Sequence, residues 1–477
     1  MCGLVLPKPE ACRGCPADGD GRGYVPDRIV PNAEVVVYGQ GPGDDEEAGQ
    51  RYLGQGAYEP CTPQPFIGKT GFMLDKFLQI AGLDREQVSL ANTFRCRFKH
   101  SNFLPPLEKA ETRTALKHCT QVHWRPPEGV KLYVAMGEYA CAALTATQTD
   151  FSGWRGYLQP YRAEYWSTGA LWPVQRVWHP GPGEPPPVLT TFHLAYLFRE
   201  PEAELPTKRD WAKVRLILDG KWPVPMSEII REPPDLWPSV SAFDSEYQPE
   251  HPDRLVRWSM ATPDRWVYVV EAADTRSRIT IPPGSQIVLH NAPVDIPHLD
   301  KFVDLDGVRL DDSMYASAVL WTGKVATDDE KGKAGGAMSH KLNFLGSLHA
   351  RINRWKHLVH ANPVVYAGGD AMGTMDVWST GLNGGLWGQL ERDPQSFWVY
   401  EHLMRPLLPL IMKHRKWGIR TNPAAAKKAI ADITRLQDQE VMRARAYTGW
   451  WGFKLTSPKQ VGHWLYAAEK LKVRRIR

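Results

Sequence analysis

A proline-dense segment between Trp222 and Pro238 interrupts the 477-residue sequence near its middle, with five prolines in 17 positions. Proline lacks a backbone N–H and breaks helices and inner strands, so no long regular element can run through this segment. A chain of this length is expected to form two to four domains, at ~100–200 residues each. We therefore predict a linker over residues 221–237 and a first domain over residues 1–220.

Short apolar runs alternate with helical patterns before the linker. The runs typical of strands are 34–38, 88–91, 130–135, 175–178 and 188–191, and the helical patterns are 69–81, 108–119 and 138–145. This alternation predicts an α/β fold with a doubly wound, mainly parallel sheet. Ligands bind beyond the carboxyl ends of such strands, where this sequence has Gly39–Gly43, Asn92 and His193.

The sequence after the linker changes character twice. Three further runs typical of strands, 240–243, 266–270 and 286–289, precede helical patterns, which predicts a second α/β domain over residues 238–395. From about residue 400 the pattern is helical, and its apolar face carries Leu403, Leu407, Leu410 and Ile411. We predict a helical segment over residues 396–477.

Basic residues are concentrated at the carboxyl end. Residues 413–477 contain 16 Lys and Arg side chains against 4 Asp and Glu, a local charge of +12, while the whole chain carries +5. Such a block is either a solvated face or a surface that follows the phosphates of a nucleic acid. The composition is that of a globular chain, and we find neither an apolar run near ~18 residues nor a secretion signal. We therefore expect a cytoplasmic protein with no membrane partner.

All seven cysteines lie before residue 142. An odd number in an intracellular chain argues against a disulfide framework and leaves metal ligation, catalysis or simple burial. The Cys12-Arg-Gly-Cys15 spacing lets two thiolates on one turn bind a single metal centre. With Cys96 and Cys119 they could hold zinc or an iron–sulfur cluster, although the latter two could also be ordinary buried thiols.

A glycine-rich loop, Gly39-Gln-Gly-Pro-Gly43, follows the first predicted strand. Its glycines would allow the backbone to approach a ligand closely. The glycine spacing does not match a dinucleotide-binding loop, and the acidic residues 44–47 would repel a pyrophosphate. The alternative is a plain tight turn.

Together these residues resemble the family 4 uracil-DNA glycosylases over about residues 1–220. The matching motifs, in chain order, are Cys12-x-x-Cys15, Gly39-Gln-Gly-Pro-Gly43, Pro65-Phe-Ile-Gly68, Asn92-Thr-Phe-Arg-Cys96-Arg97, Cys119, Arg155-Gly156 and Thr191-Phe-His193. The resemblance implies a [4Fe–4S] cluster bound by Cys12, Cys15, Cys96 and Cys119.

The same resemblance implies a pocket for a flipped uracil. Phe66 would stack on the base, Asn92 would read its polar edge, and His193 would stabilise the leaving uracil. Water and backbone donors would be positioned by the loop residues Gly39, Gln40, Gly41, Pro42 and Gly43.

The sequence departs from the family pattern in three places. Gln40 stands where the family usually has an acidic residue, and His193-Leu-Ala195 replaces the usual His-Pro-Ser. An insertion, Gln50–Gln64, lengthens the loop before Phe66. We therefore predict a weak, altered or vestigial glycosylase, and a module that only binds DNA is the alternative.

Carboxylates recur at regular spacings after the linker. Asp244 and Glu246 are two residues apart on a predicted strand, so they point to the same side of it. Asn291 precedes Asp295 by four residues, as Tyr366 precedes Asp370, so each pair would share a helix face. Clustered carboxylates repel one another unless cations lie between them, and two divalent metals ~4 Å apart would cleave a phosphodiester. Any single pair could instead be a strand-end turn or an exposed helix pair.

The ordered set resembles the proofreading 3′-5′ exonuclease domain of family A DNA polymerases and its DEDDy relatives. The likeness spans residues 238–395 and includes Asp312-Ser-Met314. It implies an RNase H-like α/β fold in which Asp244, Glu246, Asp295 and Asp370 bind two Mg²⁺ or Mn²⁺. It further implies that Tyr366 orients the attacking water.

The last segment is similar to the start of the thumb of family A polymerases. The similarity rests on residues 400–410, 416–422 and 453–462, and palm motifs are not found, so polymerisation by this chain alone is not expected. We predict a DNA replication or repair protein that shortens single-stranded 3′ ends, including uracil-containing ones, in a bacterial or virus-infected bacterial cell. A polymerase on another chain would be its partner. An RNA-trimming exonuclease and a non-catalytic DNA-binding adaptor for such a polymerase are the alternatives.

Overall fold

The fold is given by a computed structural model. It describes residues 5–98, 104–107, 109–125, 127–146, 151–162, 180, 185–248, 250–275, 278–321, 339–418 and 422–466. The chain divides into two compact units, Met1–Pro409 and Leu410–Arg477. The predicted strand 175–178 lies outside the described residues.

The first part of unit Met1–Pro409 is an α/β layer. Its strands are β1 (Val35–Gly39), β2 (Gln50–Gly54), β3 (Ala57–Pro60), β4 (Val88–Asn92), β5 (Leu132–Met136), β6 (Leu158–Pro160) and β7 (Pro187–Thr191). Its helices are α1 (Asp44–Glu47), α2 (Lys69–Ile80), α3 (Ala110–His123), α4 (Glu138–Thr145), α5 (Phe151–Trp154) and α6 (Glu204–Leu218). The main sheet has the order β4-β1-β5-β7-β6 and is parallel except for β6, which runs antiparallel to β7.

Strand β1 explains why helices cover both faces of this sheet. Val35 and Val37 belong to one apolar core, with residues of α2 and α6. Val36 and Tyr38 point the other way into a second core, with residues of α3 and α4. Because successive side chains alternate and all five residues of β1 are buried, both faces need a helical cover. The predicted doubly wound parallel sheet is confirmed.

The insertion over residues 50–64 forms an ordered hairpin. Strands β2 and β3 pair antiparallel, with Tyr52 opposite Tyr58. The Tyr52 N–H donates to Ile67 O at 2.8 Å, which fastens the hairpin beside Phe66.

A second α/β layer follows in the same unit. Its strands are β8 (Ile229–Ile230), β9 (Val240–Gln248), β10 (His251–Ala261), β11 (Val267–Glu271), β12 (Gln286–Leu289) and β13 (Arg309–Asp312). Its helices are α7 (Ala292–Leu299), α8 (Ser313–Leu320), α9 (Leu342–His349), α10 (Pro363–Met375), α11 (Trp387–Arg392) and α12 (Pro394–Val399). The sheet order is β13-β12-β9-β10-β11-β8, with β9, β10 and β11 antiparallel and β12 parallel to β9.

The segment predicted as a linker is part of the packed structure. Trp222 and Trp237 are both buried, and the Trp222 indole N–H donates to Ala350 O at 3.0 Å. Strand β8 pairs with β11 in parallel, with Ile229 opposite Val267. The boundaries 1–220, 221–237, 238–395 and 396–477 stay predictions.

The carboxyl end is helical, as predicted. Its helices are α13 (Arg405–Trp417), α14 (Pro423–Thr448) and α15 (Pro458–Tyr466). The Asn422 side chain caps α14 by accepting from the backbone N–H groups of Ala424 and Ala425, and Gly449 ends it in a left-handed conformation. Among the described residues of α14 none is buried. No helix in the described ranges is both long and apolar enough to cross a membrane.

Candidate functional site

Three of the predicted carboxylates converge at one point. Asp244 and Glu246 extend from the inner strand β9, and Asp370 extends from α10, which packs on β9 and β10. One oxygen from each of the three lies within 4.8 Å of the other two. The i, i+2 spacing on the strand therefore aims both acids at the same helix, as the sequence predicts.

The fourth predicted ligand, Asp295, lies beside this group and is turned toward β9. Its Oδ1 accepts from the Ser245 N–H at 3.1 Å and from the Ser245 hydroxyl at 2.6 Å. Asp295 lies on α7, and Asp312 fixes the start of that helix. The Asp312 Oδ2 accepts from the Ala292 N–H at 2.7 Å, while its Oδ1 caps α8. Asp312 thus has a structural role. Asp295 lines the cleft without belonging to the group of three carboxylates that lie within 4.8 Å of one another.

Two residues that sequence reasoning missed contact the acids directly. Lys356 Nζ lies 2.5 Å from Asp370 Oδ1 and 3.2 Å from the Tyr366 hydroxyl. The Trp355 indole N–H donates to the same Asp370 oxygen at 2.6 Å. No periodic signal marks either residue, since Trp355 ends an irregular stretch and Lys356 begins a single 3-10 turn, Lys356–Leu358, between α9 and α10. Tyr366 and Asp370 are one turn apart on α10 and face the cleft together.

The electrostatics of the cleft disfavour the ionised forms of Asp244, Glu246 and Asp295 when no cation is bound. Burial, with Asp370, Asp295 and Glu246 nearby, raises the pKa of Asp244 well above its ordinary value. Burial and Asp370 raise the pKa of Glu246 to about 6, and burial raises the pKa of Asp295 to about 7. Burial alone would lower the pKa of Lys356, but Asp370 and Tyr366 raise it, so this amine stays charged.

The cleft can hold divalent cations. It encloses about 630 Å³ and is lined by Asp244, Ser245, Glu246, Tyr247, His290, Asn291, Val294, Asp295, Lys356, Tyr366 and Asp370. Asp244 Oδ2 is buried and has no hydrogen-bond partner among the described residues. An orphaned carboxylate oxygen beside two further carboxylates is the donor set that Mg²⁺ and Mn²⁺ prefer.

The four predicted thiol ligands also converge. Cys12, Cys15, Cys96 and Cys119 are free, buried, and line one small cavity. Cys12 and Cys15 lie on a short turn, Cys96 follows β4, and Cys119 comes from α3. A hydrogen bond with Cys15, together with the Arg95 guanidinium, lowers the pKa of Cys119 to about 6. Burial raises the pKa of Cys96 to about 12. Four thiols that line one cavity and form no disulfide fit a metal centre.

The residues predicted to bind uracil form a second cluster at the carboxyl ends of β1 and β4. A Cβ added at Gly39 would meet Phe66 Cζ at 2.4 Å and Asn92 Oδ1 at 2.5 Å, so only glycine lets these two side chains approach the loop. Phe66 is buried with a φ of +59°, a left-handed conformation that is rare for a bulky residue and is common at functional sites.

Glu46 organises this cluster, and sequence reasoning named it only as part of an acidic stretch. Its carboxylate accepts from the backbone N–H of Phe66, from the Gly43 N–H at 3.0 Å and from the Asn92 amide at 3.5 Å. Burial raises the pKa of Glu46 to about 7. The acid therefore fixes the strained Phe66, the loop and the base-reading amide in one arrangement.

His193 is held as a neutral donor. Its Nδ1 accepts from the Ala195 N–H at 3.2 Å, so the proton of the neutral ring is on Nε2. Burial, with Arg199 nearby, lowers the pKa of His193 to about 4. A Cβ at Gly137 would meet Gln40 Nε2 at 2.2 Å and His193 Cβ at 3.1 Å, so Gln40 lies beside the histidine.

Comparison with known proteins gives matches in the first layer. A family model, Uracil DNA glycosylase superfamily, matches residues 26–219. A type-4 uracil-DNA glycosylase of Archaeoglobus fulgidus is 28% identical over 132 residues, which cover 27% of this chain and 56% of that protein. A type-4 uracil-DNA glycosylase of Thermotoga maritima is 26% identical over 107 residues, covering 22% and 49%. The chain thus spans about half the length of the curated relatives that it matches.

Solved structures give weaker likenesses. Brucella melitensis NrnC is 16% identical, with 40% of this chain and 91% of that chain covered and a TM-score of 0.29. The POL domain of Pol1 from M. smegmatis, in complex with DNA primer-template and dNTP, is 14% identical, with 47% and 36% covered and a TM-score of 0.31.

The family assignment therefore rests on the sequence match, and the fold agrees with it. The matched range contains the whole parallel sheet from β1 to β7 and helix α6. Residues 26–219 of this chain form a domain of the uracil-DNA glycosylase superfamily.

Proposed function

We propose that this chain is a DNA-repair hydrolase with a two-metal 3′-5′ exonuclease site in its second layer. The observation that carries the proposal is the convergence of Asp244, Glu246 and Asp370 within 4.8 Å, with an orphaned oxygen on Asp244. Asp295 and Tyr366 line the same cleft. When bound, two divalent cations would polarise the phosphodiester and activate water.

The residues of the cleft prepare the site for that chemistry. Asp244, Glu246 and Asp370 would hold the cations, and Asp295 would complete the set from α7. Tyr366 would orient the attacking water through its hydroxyl, which is itself held by Lys356 at 3.2 Å. Positioning of this kind supplies a large part of the rate of phosphodiester hydrolysis.

We propose for the first layer a uracil pocket of reduced activity. Phe66 would stack on the base, Asn92 would hydrogen-bond to its polar edge, and His193 would donate from Nε2 to the leaving uracil. Gln40 cannot accept a proton from water as a carboxylate would, which is the reason for expecting weak excision.

The thiols of this layer are proposed to bind a [4Fe–4S] cluster. Cys12, Cys15, Cys96 and Cys119 would hold it, because these four thiols line one small cavity and none forms a disulfide. The resemblance to the family 4 uracil-DNA glycosylases favours a cluster over zinc.

The basic helical unit, Leu410–Arg477, would contact DNA phosphates, and a polymerase on another chain is the proposed partner.

One experiment tests the main proposals together. End-labelled single strands, with and without uracil, are incubated with the protein in Mg²⁺ and in chelator. We expect 3′-end shortening in Mg²⁺ only, and a small amount of abasic-site formation in both.

The alternatives predict different gels. An RNA-trimming exonuclease would shorten a matched RNA strand as fast as the DNA strand or faster. An adaptor would bind DNA and degrade neither strand, with or without metal.

The pH dependence of stability gives a prediction about the acid cluster. Because the folded-state pKa values of Glu246 and Asp295 are raised to about 6 and about 7, the folded protein binds more protons than the unfolded chain between about pH 4 and pH 7. In chelator the free energy of unfolding contributed by these groups should therefore fall as pH rises through that window. Mn²⁺ should reverse the loss, increasingly so toward pH 7, because it binds the ionised form. Thermal unfolding with Mn²⁺ and with chelator measures the difference, and a difference that does not grow with pH would contradict the prediction.

Gln40→Glu should increase uracil release. The substitution restores a carboxylate beside His193, and a positioned general base contributes about 10²-fold to such reactions. Abasic-site formation in chelator, where the nuclease is silent, measures the change. Gln79→Glu on the exposed face of α2 is the control and should not alter the rate. A folded Gln40→Glu protein that releases uracil no faster than the wild type would contradict the proposed pocket.

A further inference from the structure

The two α/β layers of unit Met1–Pro409 share a buried polar contact, which we call the interlayer seam. We define it by residues 154–158, Asp210 and Lys213 of the first layer and by residues 343–357 of the second. Its centre is Arg155, which pairs with Asp210 at 2.7 Å and donates to the Ser347 hydroxyl of α9. The side chains of Arg155 and Asp210 are 1% and 0% exposed. Arg155 belongs to a motif of the glycosylase resemblance, yet the proposed uracil pocket does not use it.

Two further side chains cross the seam. Lys213 Nζ donates to Gly156 O and to Ser347 O, each at 2.6 Å. The Asn353 amide, 1% exposed, joins the edge strand β6 from the other side: its Oδ1 accepts from the Leu158 N–H at 2.9 Å and its Nδ2 donates to Leu158 O at 3.0 Å. Asn353 thus acts as one more hydrogen-bonding position on the edge of the first sheet.

Consecutive residues then lead from the seam to the acid cluster. Asn353 bonds to β6, and the Arg354 guanidinium lies 4.2 Å from the ring centroid of Trp154. The next residue, Trp355, donates to Asp370, and Lys356 contacts both Asp370 and Tyr366. Because these four residues are consecutive in the chain, contacts of Asn353 and Arg354 with the first layer fix the backbone that presents Trp355 and Lys356.

We propose that Asn353 is a positioning residue of the nuclease site and that the glycosylase-superfamily domain acts, through the seam, as a structural part of that site. The inference rests on the proposed nuclease function. It gives Arg155-Gly156 a role that does not require base excision, and it connects the first layer to cation binding in the second. Removing a partner that orients a metal-ligating group typically costs about 10-fold to 100-fold in metal affinity or activity.

The test measures Mn²⁺ binding by the full chain with electron paramagnetic resonance, alongside thermal unfolding and 3′-end shortening. Asn353→Ala should weaken Mn²⁺ binding by about tenfold, the lower end of the effect of such orienting groups. Trp154→Leu substitutes a residue of the first layer, and it should also weaken Mn²⁺ binding. Asp244→Asn should remove the binding and so assign it to the cleft. Gln159→Ala is the matched control. It removes a buried amide of β6, and this amide donates to Thr190 Oγ1 and to Cys141 Sγ within the first layer.

The outcomes separate the coupling from general destabilisation and from the proposed function. A Gln159→Ala protein with the same loss of Mn²⁺ affinity as Asn353→Ala would overturn the inference, as would wild-type affinity in folded Asn353→Ala. If Asn353→Ala does not fold, Trp154→Leu decides by the same criterion. A wild type that binds Mn²⁺ at the cleft but shortens no DNA would reject the nuclease proposal alone, whereas a wild type that binds none rejects both.

Discussion

Asp244→Asn is expected to abolish metal-dependent shortening of DNA 3′ ends, with a fall in rate of about 10³-fold. The estimate follows because cation stabilisation of the reaction is worth several kcal/mol, and each ~1.4 kcal/mol is a factor of ten. Asp244 belongs to the group of three acids, and its Oδ2 is the buried carboxylate oxygen with no hydrogen-bond partner among the described residues. The rate of shortening of an end-labelled single strand in Mg²⁺ measures the loss.

The same variant should not be destabilised in chelator. Because the pKa of Asp244 is raised well above its ordinary value, its ionisation at neutral pH opposes folding, and a neutral amide removes that repulsion. Asp264→Asn, an exposed acid in the turn between β10 and β11, is the control and should leave shortening unchanged. Wild-type shortening by Asp244→Asn would reject the two-metal assignment. If the wild type and Asp244→Asn both bind DNA and neither shortens it, the result would favour the adaptor alternative.

Cys96→Ser is expected to remove the iron centre and to lower the unfolding temperature of the first layer. The wild-type protein should be brown and contain about four iron atoms per chain, as a cubane cluster requires. Cys96 follows Asn92 and Arg95 on the same buried run, so loss of the cluster should loosen the base-reading amide as well. Metal binding of this kind contributes directly to folding free energy.

Iron and acid-labile sulfide analysis, visible absorbance and thermal unfolding are the measurements for that variant. Cys61→Ser serves as the control, because Cys61 is a half-buried thiol next to β3, outside the cavity that the four cysteines line. It should keep the full iron content. Colourless wild-type protein with stoichiometric zinc would reject the cluster proposal.

Much of the fold was predictable because local patterns agree with tertiary packing. The apolar runs at 34–38 and 286–289 became β1 and β12, because strands covered on both faces need nearly continuous apolar sequence. The helical pattern at 138–145 became α4. The proline-dense segment was harder to interpret. Two of its residues, Ile229 and Ile230, form an edge strand, because proline excludes only inner strands and helices.

The spacing of chemical groups predicted a cluster of four acids, and the structure brings three of them within 4.8 Å of one another. Tertiary contacts explain what the spacing omitted. Asp244 and Glu246 share a strand face, and Tyr366 and Asp370 share a helix face, so both pairs are visible locally. Lys356 and Glu46 were missed, because the partners that place them in the two sites are distant in sequence: Asp370 and Tyr366 for Lys356, and Phe66 and Asn92 for Glu46.

The amino-acid sequence by itself determined the α/β class of each layer and the acid pairs that share a strand or helix face, because each depends on side-chain periodicity within one element. The set of four thiols came from the family resemblance. Only the tertiary structure decided that Lys356 lies against Asp370, that Asp295 is held by Ser245, and that Asn353 joins the two layers. Those contacts form between chain segments brought together by burial of apolar faces, and a hydrogen bond or ion pair between such segments leaves no local pattern from which it could be predicted.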